Sequence, residues 1–350
     1  MKMILLSARQ GKILEILRGG QGLPATLIQQ ALGDISLVTV KREMAVLIAG
    51  GFVLSRRAGR ASGYILTRRG ELLAPIDAHA HCAKDPDARG AFASFDLTLL
   101  PEMPTTIFTD EERHKLDLAT AAYQKRSASL SDTLAKKELA RFVIELSWKS
   151  SRIEGNTYTL LDTERLISEG IKAPGHAAGE AVMILNHKKA FEFILANRKL
   201  FVGTPKKRVI EEVHQLLVDG LKVGRGLRKQ VVGIVGTSYR PLDNVYQINE
   251  ALGDLLVAIG RAEDAYTAGL IALLGLSYIQ PFEDGNKRTA RLVANAVLLV
   301  QGCAPLSYRS VDEVSYREAI LVFYETHSLV PFKEIFQQQY LFAAQQYGLR

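Results

Sequence analysis

Between Ile279 and Arg291 the chain reads IQPFEDGNKRTAR. A Pro-Phe corner leads into two carboxylates, Glu283 and Asp284, then Gly285, Asn286 and Lys287. Two arginines three residues apart, Arg288 and Arg291, complete the run. From Asn286 the pattern is helical and almost wholly apolar after Arg291, so it makes a core helix whose N-terminus opens into a cleft. Free backbone N–H groups and the positive end of the helix dipole attract anions there. Gly285 lets the backbone approach a phosphate closely. Arg288 and Arg291 project from one face and can fork onto phosphate oxygens. Asp284 or Glu283 could hold a Mg²⁺ that bridges those phosphates. The run reads as a nucleotide di- or triphosphate site. The alternative is a structural loop whose arginines pair with core carboxylates. Gln280 stands just before the corner, and its amide donates or accepts hydrogen bonds but cannot titrate.

The elements that must position these residues are mostly helices. From about Asp110 onward, apolar spacing predicts ELARFVIELSWKSSRIEGN, EAVMILNHKKAFEFILANR, PKKRVIEEVHQLLVDG, INEALGDLLVAIG and AYTAGLIALLGLSYI as helices. NKRTARLVANAVLLVQG, SYREAILVFYETH and PFKEIFQQQYLFAAQQYG follow. The one interruption, LRKQVVGIVGTSYRPLD, predicts a short hairpin over about 230–242. The fold class is therefore mainly α, with one domain over 108–350. Residues 76–107 mix proline, glycine and small residues and read as a linker, at least partly extended. His79, His81 and Cys82 lie close together there, but no second ligand cluster accompanies them.

The net charge of +7 has a location. Residues 1–75 hold 11 Lys/Arg against 4 Asp/Glu, and the remaining residues hold 33 of each sign. All the excess positive charge sits in this first segment, which points to an acidic polymer partner. Three short helices are expected in it: SARQGKILEILR, PATLIQQAL opened by Pro24, and SLVTVKREMAVLIAGG capped by Ser36. Two strands around a glycine turn, FVLSRRAGRASGYILT, follow. The order resembles a winged helix-turn-helix over 1–75, which would bind double-stranded DNA. Thr39, Lys41 and Arg42 would face the groove, and Arg56, Arg57 and Arg60 would meet phosphates. A winged helix used for protein contacts or dimerisation is the alternative. A homodimer on paired half-sites is expected. Two distant cysteines, no signal-type N-terminus and no membrane-length apolar run point to a reducing cytoplasm.

QPFEDGNKRTAR also resembles the motif of Fic-domain proteins, His-Pro-Phe-x-Asp-Gly-Asn-(Gly or Lys)-Arg-x-x-Arg, at every fixed position except the first. Ser150 to Asn156, SSRIEGN, resembles that family's inhibitory motif, (Ser/Thr)-x-x-x-Glu-(Gly/Asn), on a helix of about 137–156. VVGIVGTSYRPLD, with Gly236, Thr237, Ser238 and Tyr239, resembles its target-docking flap. The resemblance spans roughly 95–345. It implies transfer of AMP from Mg-ATP to a Ser, Thr or Tyr hydroxyl of a protein, with ATP and Mg²⁺ as the small molecules required. By position, Asp284 would bind Mg²⁺, and Gly285, Asn286 and Lys287 would form an anion hole. Arg288 and Arg291 would meet the phosphates, and Phe282 would anchor the corner. Glu154, with Ser150 and Gly155 in its motif, would pair with Arg291 and displace the γ-phosphate.

The family's first motif residue is the histidine that takes the target's proton, and Gln280 stands in its place. Glutamine only donates or accepts hydrogen bonds, which puts activity in question. Glu283 is a candidate substitute base. Three readings follow: a Fic-type transferase with weakened chemistry, a catalytically inactive nucleotide-responsive DNA-binding transcriptional regulator, or an interaction protein with a vestigial cleft. The retention of Asp284, Asn286, Arg288 and Arg291 counts against the third.

Overall fold

The computed structural model describes residues 6–18, 22–58, 61–90 and 92–349. Short-range chemistry starts the first helices. Ser7 and Gln10 form a capping box ahead of α1 (Ala8–Leu17). Pro24 precedes α2 (Ala25–Leu32), and the Ser36 hydroxyl accepts from Thr39 N at the start of α3 (Leu37–Ala49). Ile13, Leu14, Ile28, Val40, Met44 and Leu47 meet in a small apolar centre. Strands β1 (Val53–Ala58) and β2 (Ala61–Leu66) pair antiparallel, Val53 opposite Leu66. A bridge from Leu23 to Tyr64 ties the hairpin back to the helices. In α4 (Arg68–Leu73) a Cβ on Gly70 would stand 2.1 Å from the Phe52 carbonyl oxygen, so only glycine allows this approach.

The segment expected as a linker is instead laid against the helical body. It carries α5 (Ala78–Cys82), and its Leu99, Leu100, Met103 and Ile107 are buried. Phe92 and Phe95 add ring contacts with His327 and Tyr278. A continuous apolar core then runs from Ile13 to Leu349.

The helical body comprises α6 (Asp110–Ser129), α7 (Asp132–Ile153), α8 (Leu160–Glu169), α9 (Ala178–Ala196) and α10 (Lys207–Val218). It continues with α11 (Val245–Arg261), α12 (Ala265–Ile279), α13 (Asn286–Val300), α14 (Glu313–Thr326) and α15 (Val330–Gln346). Helices α12 and α13 form the central hairpin. Every residue from Tyr266 to Ile279 is buried, and so is every one from Arg288 to Leu299. The loop joining them, 280–285, carries the motif, and the end of α7 lies beside the start of α13. No helix among the described residues is long and apolar enough to cross a membrane.

The predicted hairpin at 230–242 is replaced by an irregular loop with a turn at Val235–Gly236. Its two arms are joined by a side chain rather than a ladder. Arg228 donates from Nη1 to Gln230 O at 2.8 Å and from Nη2 to Leu242 O. One guanidinium thus occupies carbonyls that cross-strand N–H groups would have used. On the inner side, the buried Tyr239 donates its hydroxyl to Tyr278 O at 2.9 Å.

Candidate active site

The corner after α12 is built from main-chain bonds and one stacked ring. Gln280 ends the helix in the left-handed region, φ 49° and ψ 58°. Phe282 is fully buried, and Asn286 closes the loop onto it. Its Oδ1 accepts from Phe282 N and its Nδ2 donates to Phe282 O, both at 2.8 Å. The His214 ring stacks on Phe282 with centroids 3.8 Å apart and donates from Nε2 to Asp284 O at 2.9 Å. Gly285, at φ 80°, opens α13, and no side chain caps that helix. Its first N–H groups therefore remain for an anion or water.

Two buried guanidiniums stand at this opening. The Arg288 side chain is 2% exposed and its Nη2 lies 3.2 Å from Asp284 Oδ2. Its Nη1 is buried and has no hydrogen-bond partner among the described residues. A buried donor without an acceptor is costly, so the site fits a ligand oxygen there. Arg291 is fully buried and closely held. Its Nε donates to Ser150 Oγ and its Nη2 to Ser150 O, both at 2.8 Å. Its guanidinium carbon lies 5.7 Å from the centre of the Tyr316 ring.

Glu154, the C-cap of α7, completes the arrangement. Its Oε1 lies 2.9 Å from Arg291 Nη2, and its Oε2 lies 3.6 Å from Lys287 Nζ. Burial opposes its ionisation, but Arg291, Lys287 and Arg288 together hold its carboxyl below the ordinary value. Burial likewise opposes the charge on Arg291, and Tyr316 with Glu154 more than restores it. Gly155 follows at φ 95° and ends the helix. A small recess of about 70 Å³ adjoins this pair, lined in part by Ile153, Ile234, Lys287, Tyr316 and Tyr324.

The other predicted site residues fall into separate places. Gln280 turns its amide back onto its own helix, Nε2 donating to Ser277 O at 2.6 Å. Glu283 is exposed, and its Oε2 accepts from Gly224 N at 2.8 Å, on a neighbouring loop. Asp284 keeps a side chain 65% exposed at the mouth. No group of three His, Cys, Asp or Glu among the described residues could hold a metal ion by itself. A single carboxylate beside two buried arginines nevertheless suits Mg²⁺ bound with a nucleotide, since that ion takes one or two carboxylates and fills its shell from phosphate and water. In the 230–242 loop, Thr237 Oγ1 accepts from Tyr239 N, and Ser238 is half-buried beside it.

The six DNA-binding candidates belong to α3 and the β1–β2 hairpin. Lys41, Arg42 and Arg56 are exposed. Thr39 is half-buried, with Oγ1 2.9 Å from Ser36 Oγ. Arg57 lies in β1, but its side chain is outside the described residues, and so is the whole of Arg60.

Sequence reasoning missed the second layer. His187, fully buried on α9, sets its Nε2 2.8 Å from Ser150 Oγ, so it supports the serine that holds Arg291. Burial, then Arg291 and Arg288, push its pKa well below the usual histidine value. His214 is lowered to about 4, chiefly by burial, with Arg288 adding to it. Both imidazoles are neutral near pH 7, and both are committed to structural bonds. A histidine on the apolar face of each helix was the available signal, but it does not say what the ring will meet.

Known proteins share these features. The profile of the Fic/DOC family matches residues 205–298. The protein adenylyltransferase Fic of Nematostella vectensis is 30% identical over 193 residues, covering 52% of this chain and 44% of that protein. The match thus spans less than half the length of that relative. A Fic domain containing signaling protein from Bacteroides thetaiotaomicron superposes with a TM-score of 0.57 at 18% identity, covering 66% of this chain and 94% of that one. Fic-1 of C. elegans gives 0.56 at 22% identity, with 68% and 71% covered. These two share the fold.

Proposed function

We propose that this chain, whose residues 205–298 match the Fic/DOC family, is built to transfer AMP from Mg-ATP to a Ser, Thr or Tyr hydroxyl of a protein, under restraint by Glu154. The observation that carries the reading is the pair of buried arginines at an uncapped helix start. One is held by a carboxylate, and the other has a donor without a partner. Polyphosphate oxygens would satisfy both, together with the first N–H groups of α13.

In the reaction the acceptor oxygen forms a bond to the α-phosphorus, the bond to the bridging oxygen breaks, and pyrophosphate leaves. Mg²⁺, held by Asp284, would supply charge neutralisation along the phosphates. Arg288 and Arg291 orient them. The hydroxyl proton must also be removed, and Gln280 cannot take it. Loss of a general base costs about 10²–10⁴ in rate, while positioning and electrostatics remain. Glu154 competes for the charge of Arg291 that a terminal phosphate would use, so binding of a productive triphosphate requires the end of α7 to yield.

Titration calorimetry with Mg-ATP tests the binding half. Glu154→Gly should bind at least tenfold more tightly than the parent, because one competing charged contact contributes about 1.5–3 kcal/mol. No binding by either protein would overturn the nucleotide reading.

A second role rests on α3, which presents Lys41, Arg42 and a Val38 that is 77% exposed. With the excess charge of residues 1–75, this favours duplex DNA as a second partner. Mobility shift at two salt concentrations tests it. No retardation of any duplex at low salt would remove it.

A further inference from the structure

Glu325, on α14, is 1% exposed, and a carboxylate so deep must be paired. Its partners come from the segment that joins the N-terminal unit to the helical body. Oε2 lies 2.6 Å from His81 Nε2, and Oε1 accepts from Arg89 Nη1 at 3.1 Å. The same Arg89 nitrogen donates to Gly236 O at 2.9 Å, at the turn of the 230–242 loop. The remaining guanidinium nitrogens are anchored at home, Nη2 on Cys82 O and Nε on Lys84 O, both at 2.9 Å. Arg89 thus joins three parts of the chain at one buried point.

The main chain extends the attachment. Phe92 N donates to Glu325 O at 2.8 Å, and Arg240 N donates to Ala93 O at 3.0 Å. Ser94 and Arg240 form a parallel bridge. Phe92 stacks on His327 at 4.5 Å and Phe95 on Tyr278 at 4.6 Å. The loop has no ladder of its own, so its shape is imposed from both sides. Arg228 and Tyr239 hold the inner side, and Arg89 with residues 92–96 hold the outer. Val231 and Val235, 74% and 98% exposed, ride on the same loop.

We propose that Arg89 and residues 92–96 act as a strap that sets the conformation of the 230–242 loop, with Arg89 as a positioning residue, and that this shape governs how the protein acceptor docks. Only the docking step rests on the AMP-transfer reading. Removing the guanidinium leaves Gly236 O without its donor and deprives the buried Glu325 of its arginine partner. The turn is then released while the α12–α13 hairpin, which none of the Arg89 bonds touches, stays closed.

The test uses the full chain in two arms. In hydrogen exchange, Arg89→Ala should speed the amides of 236–240 at least tenfold and leave those of α12 and α13 unchanged. Arg89→Lys, which cannot span Glu325, Gly236 O and Cys82 O together, should give a smaller rise and keeps the measurement available if the alanine variant folds poorly. Unchanged exchange at 236–240 in both variants would overturn the strap. In the second arm, Arg89→Ala is added to Glu154→Gly/Gln280→His. Transfer from α-labelled ATP onto the chain's own hydroxyls should fall at least tenfold, with KM for ATP within twofold. A matching rise in KM for ATP would show damage to the cleft and contradict a docking role. If the parent double variant transfers nothing, the AMP-transfer reading fails, and the exchange arm still decides the strap.

Discussion

The start of α13 and the N-terminal unit both gather positive charge, in opposite ways. In the cleft, Arg288 and Arg291 have side chains 2% and 0% exposed, and each is tied to a named carboxylate. On α3 and β1, Lys41, Arg42 and Arg56 stand in solvent. A buried charge is expensive unless paired and hydrogen-bonded, so burial forces a defined geometry. An exposed charge is screened and hydrated at little cost, so it needs no fixed partner. On the proposed function, the first kind of site would discriminate one ligand oxygen from another, and the second would attract a polyanion through unspecific charge.

The sharpest way to press on that contrast is to restore the missing base. Gln280→His on a Glu154→Gly background should raise AMP transfer by about 10²–10⁴ over Glu154→Gly alone, measured with α-labelled ATP. Next in size is the buried guanidinium. Arg288→Ala should weaken Mg-ATP binding by calorimetry by about 10–100-fold, the range for a charged hydrogen bond, while Arg42→Ala leaves it unchanged. An equal loss in both would erase the distinction between the two regions.

The buried imidazoles give the third test. His214 is lowered to about 4 from 6.5, so between those values the unfolded chain binds the proton and the folded chain does not. Its share of stability is complete above pH 6.5 and is lost as pH falls toward 4. That amounts to roughly 2 kcal/mol between pH 7 and 5, read from denaturant midpoints, and His214→Gln should shrink it. Glu154 behaves differently. Its carboxyl is lowered, so the pair with Arg291 is present above the ordinary carboxylate value and is lost only as pH falls through the depressed one. Restraint by Glu154 should therefore not relax between pH 8 and 5. The smallest effect is expected at the exposed site. Lys41→Ala should weaken duplex binding uniformly across sequences and reduce the salt slope by about one.

Much of this was legible from the chain because burial and helical period leave a pattern. The α12–α13 hairpin follows from two long apolar runs, and the anion opening follows from Asp284, Gly285 and two spaced arginines between them. The neighbour of Arg291 was legible only through a second motif at Ser150 and Glu154. What stayed hidden depends on contacts between distant segments. Nothing local says that His187 reaches Ser150 or that His214 stacks on Phe282. The β-branched run at 231–235 looked like a strand, yet Arg228, Arg89 and residues 92–96 supplied bonds to that loop. The segment 76–107 looked like a linker because it mixes proline, glycine and small residues, although Leu99, Leu100, Met103 and Ile107 are buried.

The central claim is that the cleft is complete except for one proton acceptor and one gate. It is tested most directly by incubating α-labelled ATP with the parent chain, Glu154→Gly, and Glu154→Gly/Gln280→His, and counting label on protein. The account predicts strong labelling by the double variant, weak labelling by Glu154→Gly and least by the parent. Equal labelling by the parent and the double variant, or none by any of the three, would contradict it.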